Sequence, residues 1–266
     1  MPTAYSILPD RFPDDRDGAI EEGLRRIGYR VVKGAGPPRD ERDVLLTWTV
    51  HHGHKESAAR AFEAAGGRVV VCEEGHLKGR VRGEKLFTVV LHDHNGAGPW
   101  TVGGPERWAG FGIELRPWRI RGLHVIVREQ RSIGSAKMAS PRDWHDDAER
   151  RLRAVTCRPV LLRYHPKSRR FPDMAANQRT LEAMLRNCHA LVTWAASDGT
   201  MALISGVPVF ALAPHFFVQT ACNRDLYDIE SPGMPDRLPA FERLAWAQWS
   251  LKEIRSGETF EVLLNG

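Results

Sequence analysis

Three short apolar runs between Arg158 and Pro214 constrain this chain more than any other feature. They are Pro159–Arg163, Ala190–Trp194 and Val207–Ala211. Each is bounded by turn-forming or polar residues and has the length of a buried parallel strand. Between the first two, Leu181, Met184 and Leu185 recur at helical spacing within Thr180–Cys188. Between the last two, Gly199–Ser205 has room for about two helical turns. The order strand, helix, strand, short helix, strand predicts an open parallel α/β sheet. In such a sheet the loops after the strands' carboxyl ends face one crevice, where ligands bind. Those loops hold His165, then Ser197, Asp198, Gly199 and Thr200, then His215.

The first half repeats this layout. Strands are expected at Tyr5–Leu8, Tyr29–Val32, Asp43–Val50, Arg68–Cys72 and Phe87–Leu91, with helices at Gly18–Ile27, capped by Asp17, and at Glu56–Ala65. Polar loops follow the strands: His51-His52-Gly53-His54, then Glu73-Glu74-Gly75-His76, then His92–Gly96. That is a second Rossmann-like pattern. Gly96–Gly112, with six glycines and two prolines, reads as a lid or surface loop carrying Trp100 and Trp108. Pro117–Gly122 reads as a linker. Beyond it come a strand at Leu123–Val127, a loop from Arg128 to Ser135 and a helix from Pro141 to Arg153. A final helix, Ala240–Ile254, sets Phe241, Leu244, Ala245, Trp249 and Ile254 on one side. The expected organisation is one Rossmann-like domain over 1–120, a second over 121–239, and a C-terminal helix over 240–266.

The chain has 266 residues, 42% hydrophobic and 27% charged, ordinary for a globular protein and enough for two small α/β domains. No apolar run has the length of a membrane span. The N-terminal stretch lacks the pattern of a signal peptide, and the cysteines lack zinc-site spacing, so a cytoplasmic setting is expected. A formal charge of +5 suits an anionic partner or co-substrate without defining one.

Each polar loop has a chemical and a plain structural reading. Ser197-Asp198-Gly199-Thr200 opens a helix whose unpaired N–H groups and dipole favour phosphate, with Gly199 admitting a ligand closely; it is equally an N-cap. His165, followed by Lys167, can donate to a phosphate or a sugar hydroxyl. Arg128 and Arg131 can neutralise a pyrophosphate, with Gln130, Ser132, Gly134 and Ser135 bonding to it or to a sugar; the loop is otherwise a solvated basic turn. Neither a dinucleotide-binding glycine fingerprint nor a P-loop is present, which argues against an NAD enzyme or a P-loop ATPase. Among first-half residues, His51, His52, Glu73, Glu74, His76, Asp93 and His94 are candidates for acid–base work. His92 and His94 alternate on one segment and could share a metal ion, but no further ligands are placed, and no metal site is expected.

The motifs Tyr164-His165-Pro166, Thr193–Thr200 and Ser205-Gly206-Val207-Pro208-Val209-Phe210 resemble the nucleotide-binding domain of GT-B-fold glycosyltransferases. The resemblance is to the branch related to capsule polysaccharide and Kdo transferases. Val69–Leu77 and His92–Gly98 resemble small bacteriophage proteins of glycosyltransferase-like type. Together the resemblances span about residues 43–255. They imply two compact Rossmann-like domains facing a cleft, with a nucleotide-sugar donor, a UDP-sugar first among candidates, held by the second domain. Donor contacts would come from Arg128, Gln130, Arg131, Ser132, Gly134, Ser135, His165, Lys167, Ser197, Asp198, Gly199 and Thr200. The base would be Asp93, ahead of Glu74, with His52 beside them. The acceptor would lie against His51, His94, Asn95, Trp100 and Trp108, and the last helix would cross back to the first domain. No tightly bound cofactor is implied, and a metal is not required.

The phage-like setting, the basic charge and the spare tryptophans extend this to an acceptor in double-stranded DNA, a hydroxymethylated pyrimidine. Competing readings are a nucleotide-sugar epimerase or hydrolase on the same fold, a non-catalytic nucleic-acid-binding protein, and metal-dependent hydrolysis through His92 and His94. Nothing in the sequence fixes an oligomeric state.

Overall fold

A computed structural model of the chain describes all residues except 10–13, 51–52, 78–80, 82, 169 and 266. In chain order the elements begin with β1 (Thr3–Ser6), α1 (Arg16–Arg26), β2 (Arg30–Lys33), β3 (Val44–Trp48), α2 (His54–Ala64), β4 (Arg68–Glu74), β5 (Leu86–Leu91) and α3 (Glu106–Phe111). There follow β6 (His124–Arg128), α4 (Trp144–Val155), β7 (Val160–Arg163), α5 (Pro172–Asn177), α6 (Leu181–Leu185), β8 (Cys188–Thr193), α7 (Ser197–Ile204) and β9 (Val209–Ala211). The chain closes with α8 (Leu238–Ala245), β10 (Gln248–Ser250), α9 (Leu251–Ser256) and α10 (Glu258–Asn265). It divides into two compact units. The first comprises Met1–Gly112, Gly134–Met138 and Glu242–Gly266; the second comprises Ile113–Ile133 and Ala139–Phe241.

The first unit is built on a six-stranded sheet in the order β10-β5-β4-β3-β1-β2. Strands β1 to β4 are mutually parallel where they pair, and Val44, Leu45, Leu46, Val69, Val70 and Val71 are all fully buried. Strand β5 corrects the repeated-layout expectation. It runs antiparallel to β4, in the register Val70↔Leu91 to Glu74↔Phe87. The His92 loop therefore leaves the sheet where β4 begins, and not where β4 ends at Glu74.

The expected single helix at Ala240–Ile254 is also corrected. Helical spacing holds only through Ala245. Gln248 is then fully buried in an extended segment, where its Oε1 accepts from His76 N at 2.7 Å and its Nε2 donates to Thr88 Oγ1 at 2.9 Å. Residues Gln248–Ser250 pair antiparallel with β5. Ser250 and Glu253 then form a reciprocal capping box that starts α9. Gly23 allows α9 close to α1: a Cβ there would stand 1.9 Å from the Ile254 carbonyl oxygen. In α1, the N-cap is Asp15, not Asp17, which lies in the first turn and favours the helix dipole instead. The glycine-rich stretch contains α3, entered from Pro105 and closed by Gly112 at φ 63°.

The second unit is a four-stranded, all-parallel sheet in the order β7-β6-β8-β9. Strand order reverses beside β6, which makes the carboxyl ends of β6 and β8 the switch point of the sheet. Helix α4 sets Trp144, Ala148 and Leu152, spaced by four, against Val125, Val127, Val160, Ala190, Val192 and Phe210. The expected helix Thr180–Cys188 is shorter: Thr180 caps it through Ala183 N at 3.2 Å, and β8 already begins at Cys188. Pro117–Gly122, expected as a linker, lies along this unit, with Arg119 N donating to Gly206 O at 2.7 Å and Arg237 stacked 4.0 Å from the Trp118 ring centroid.

Candidate functional site

The carboxyl ends of β6 and β7 carry a basic pocket of about 590 Å³. Gln130, Arg131, Ser132 and Lys167, all expected to touch a donor, line it. So do Glu129, Arg142, His145 and Arg170, which sequence reasoning did not place at the site. Four cations against one carboxylate give the described lining residues a formal charge of +3. Among the described residues Arg142 and Lys167 form no ion pair, while Arg170 pairs with Asp146. The pocket thus concentrates positive charge at the carboxyl end of a parallel sheet, the place and the charge that suit an anionic ligand.

Glu129 builds the rim. Its buried carboxylate accepts from His165 N at 2.7 Å and from Ser168 Oγ at 2.9 Å, which fixes the loop that carries Lys167. His165 Nδ1 accepts from Lys167 N at 2.9 Å. In the neutral ring the proton then resides on Nε2, as a donor. Gln130 works inward. With its amide oxygen turned to the donors, it accepts from Ala195 N and Ala196 N, each at 3.1 Å. It therefore fills the N–H groups of the turn that leads into α7.

Several expected donor contacts are corrected by burial. Arg128 is 5% exposed and Asp198 2% exposed; the guanidinium Nε donates to Asp198 Oδ2 at 2.7 Å, and Arg163 Nε donates to the same oxygen at 3.0 Å. Burial pulls the Arg128 pKa below its usual range against the opposing pull of Asp198. Arg128 is thus neutralised internally and is not turned to a pyrophosphate, and Asp198 is its counter-ion. Gly199 is set against the sheet: a Cβ there would lie 3.1 Å from Thr193 Cγ2 and 3.4 Å from Val209 Cγ1, so its small size serves packing and not a ligand. Thr200 is fully buried in α7, which leaves Ser197 as the half-buried member of that turn. Gly134 and Ser135 group with the first unit, where Ser135 Oγ donates to Asp93 Oδ2 at 2.9 Å.

In the first unit, Asp93 holds four donors. Oδ1 accepts from His94 N at 2.9 Å and from His94 Nδ1 at 2.8 Å; Oδ2 accepts from Ser135 and from Arg60 Nη2 at 2.7 Å. Burial alone would raise its pKa, but the hydrogen bonds from His94 and Ser135 carry it below the usual carboxylate range. A carboxylate so depressed and so fully bonded is a poor base, which corrects the preference for Asp93. Burial would lower the pKa of His94, yet the bond to Asp93 and the nearby Glu73 raise it. Glu73 is itself raised by burial and accepts from Asn95 N at 3.0 Å.

Glu74 differs from Asp93. Its side chain is 58% exposed, with Arg16 Nη1 at 2.7 Å and Lys85 Nζ at 3.1 Å. The metal alternative loses its geometry, because His92 Nδ1 turns to Glu63 Oε1 at 2.7 Å and His94 Nδ1 to Asp93. No group of three or more metal-holding side chains occurs among the described residues. Trp100 and Trp108 are 8% and 6% exposed; Trp100 Nε1 donates to Arg243 O at 3.0 Å, and Trp108 packs edge-on against Phe111. Both pack inward and do not face an acceptor. His51 and His52 lie outside the described residues.

Two α/β units in one chain, the second an all-parallel sheet with an anion-suited pocket at its strand ends, together with the solved structures below, give the class: a GT-B-like fold. No protein-family profile matches the sequence, and no curated protein matches it. Solved structures similar to this chain include two transferases. KpsC, beta Kdo 2,7 transferase, from Thermosulfurimonas dismutans superposes with a TM-score of 0.60 at 12% identity, over 98% of this chain and 99% of that one. KpsC, beta Kdo 2,4 transferase, from the same organism superposes with a TM-score of 0.53 at 12% identity, over 92% and 90%. At this identity the likeness is one of fold. No helix among the described residues is long and apolar enough to cross a membrane.

Proposed function

We propose that this chain is a glycosyltransferase that moves a sugar from a nucleotide-sugar donor to a hydroxyl. The observation that carries the reading is the +3 lining of the pocket at the ends of β6 and β7. Arg131, Arg142 and Lys167 would hold the donor's phosphate and stabilise the negative charge that builds on it as the glycosidic bond breaks. His165, with its proton on Nε2, would donate to a phosphate or sugar oxygen. Ser132 would position the sugar, and Ser197 would add a hydroxyl at the mouth of α7. Supplying the positive charge from side chains lets the leaving group depart without a metal.

A UDP-sugar remains the first donor to test. Two of the similar structures are named as transferases of Kdo, an acidic sugar, and a pocket with four cations also suits a donor that is anionic in both phosphate and sugar. Of the two carboxylates proposed as base, Glu74 is the one whose side chain reaches solvent. We assign deprotonation of the acceptor hydroxyl to Glu74. A hydroxymethylated pyrimidine in DNA is a weaker acceptor proposal, because the two tryptophans that motivated it are buried.

Lys167→Ala and Arg142→Ala are each expected to weaken donor binding by about tenfold or more, since a hydrogen bond to a charged group contributes about 1.5–3 kcal/mol and about 1.4 kcal/mol is tenfold. Glu74→Gln is expected to lower kcat while leaving donor affinity in place. Thermal-shift titration with UDP-, CMP-, GDP-, ADP- and dTDP-linked sugars, followed by turnover assays, reads both. Stabilisation by none of these donors, or equal stabilisation of wild type and Lys167→Ala, would reject the assignment.

A further inference from the structure

The second unit carries another groove, on a different side of α4 from the basic pocket. A cavity of about 370 Å³ lies where Asp143, Asp147 and Arg151, four residues apart, face Trp194, Leu212 and Arg224. It adjoins a second cavity of about 280 Å³, with Arg151 common to both. The second is floored by Ala154, Val155 and Leu226 and flanked by Tyr227, which is 76% exposed. The two run together along α4, whose twelve residues span about 18 Å. The groove is therefore elongated, with an aromatic ring toward each end.

Its chemistry contrasts with that of the basic pocket. In the larger cavity two carboxylates, Asp143 and Asp147, stand with two guanidiniums, Arg151 and Arg224; Arg150, which lines the adjoining cavity, pairs with Asp147 Oδ1 and leaves Oδ2 to accept. Arg224 forms no ion pair among the described residues. Among the described residues Arg151 has one ion pair, to Asp147 Oδ2 at 3.9 Å, so that guanidinium also keeps donors to spare. Trp144, 4% exposed in the same wall, has an indole N–H with no acceptor among the described residues. Buried polar groups of this kind normally find a partner, and this one borders a cavity. Trp194 packs against the core cluster and also lines the cavity.

The larger cavity's lining has no net charge, and the one surplus guanidinium of the whole groove, Arg150, is already paired with Asp147, so the groove is not built to select an anion. Paired carboxylates and guanidiniums beside aromatic rings match a ligand with adjacent hydroxyls and an apolar C–H face: hydroxyls donate to Asp143 and Asp147, accept from Arg151, Arg224 and the Trp144 indole, and the ring lies on Trp194. The length along α4 exceeds a single ring.

We propose that this groove holds a neutral oligosaccharide chain, with one sugar against Trp194 and a later one against Tyr227. The purpose, retaining an acceptor or product glycan, rests on the glycosyltransferase reading; the geometry does not.

The test is calorimetric titration of the full chain, without donor, with cellotetraose, mannotetraose and galactotetraose in turn. Inorganic pyrophosphate is titrated in parallel to report on the basic pocket. Wild type is expected to bind at least one tetrasaccharide. Trp194→Ala is expected to weaken that binding at least about tenfold, and Arg224→Ala, a change at an exposed side chain that spares the core, to weaken it measurably. Lys167→Ala is expected to leave tetrasaccharide binding unchanged while weakening pyrophosphate. Absence of tetrasaccharide binding at millimolar concentration with pyrophosphate binding intact overturns the groove alone. Wild-type affinity in both Trp194→Ala and Arg224→Ala, or loss of sugar binding in Lys167→Ala, overturns it as well. Tetrasaccharide binding that follows the expected pattern without pyrophosphate binding upholds the groove and sinks the donor site.

Discussion

At the scale of single residues, the molecule closes its buried charges into internal pairs. Asp198 and Arg128 neutralise each other inside the second unit, so their type and position resemble a ligand site while their energy goes into the fold. Asp93 and His94 form a similar closed pair in the first unit, with Glu73, Arg60 and Ser135 around them. The raised pKa of His94 has a definite sign in stability. Its contribution is complete below about 6.5, the unfolded value, and is lost as pH rises through the higher folded value. That of Asp93, whose pKa is depressed, is present above about 3.9 and is lost as pH falls through the lower folded value. Urea unfolding from pH 5 to 9 should show wild type losing stability above about 6.5 relative to His94→Gln, with the His94 ring titrating above that value by NMR. A His94 midpoint at or below 6.5 would contradict the pairing. The sequence displayed these residue types but not their partners. Nothing near Arg128 in the chain announces that Asp198, seventy positions on, will take its charge.

At the scale of elements, the apolar runs were legible and their directions were not. Val44–Trp48, Arg68–Glu74 and Cys188–Thr193 stand close to where the runs predict strands. Leu86–Leu91 reads as the same apolar run whichever way it is laid in the sheet, so its antiparallel pairing could not be foreseen. The break in the C-terminal helix did have a signal: Ser250-Leu-Lys-Glu253 is a capping-box spacing. The helical spacing of Phe241, Leu244 and Ala245 just ahead of it masks that signal. The basic pocket was partly legible through Gln130, Arg131, Ser132 and Lys167, whereas Arg142, just ahead of α4, is brought to it by the packing of that helix through Trp144, Ala148 and Leu152. The contact of α1 with α9 is equally a product of packing. Gly23→Ala should cost about 1–3 kcal/mol, because the added methyl meets a carbonyl oxygen that belongs to a helix and cannot swing aside. Chemical denaturation measures this directly, and an unchanged midpoint would mean that the two helices separate freely.

At the scale of the whole molecule, the first unit is assembled from three separate stretches of chain, and the second occupies most of what lies between. Glu242–Gly266 supplies the edge strand β10, the buried Gln248, and helices α9 and α10. A chain ending at Phe241 is expected to lose hydrogen-exchange protection in β4 and β5 while retaining it in β6 and β8. Protection of β4 and β5 at wild-type level in that truncated chain would show that the last residues are dispensable. The same interruption sets an order of events on the ribosome. The amino-terminal sheet is made first yet waits for its own edge strand, while the second unit has all its strands as soon as β9 has emerged. From Gly112 to Glu242, at about 5–20 residues per second, the nascent first unit spends roughly 7–26 s with the flank of β5 open. During translation that exposed flank is where a chaperone would have the most to protect, and synonymous codons that slow elongation after Gly112 would lengthen the risk.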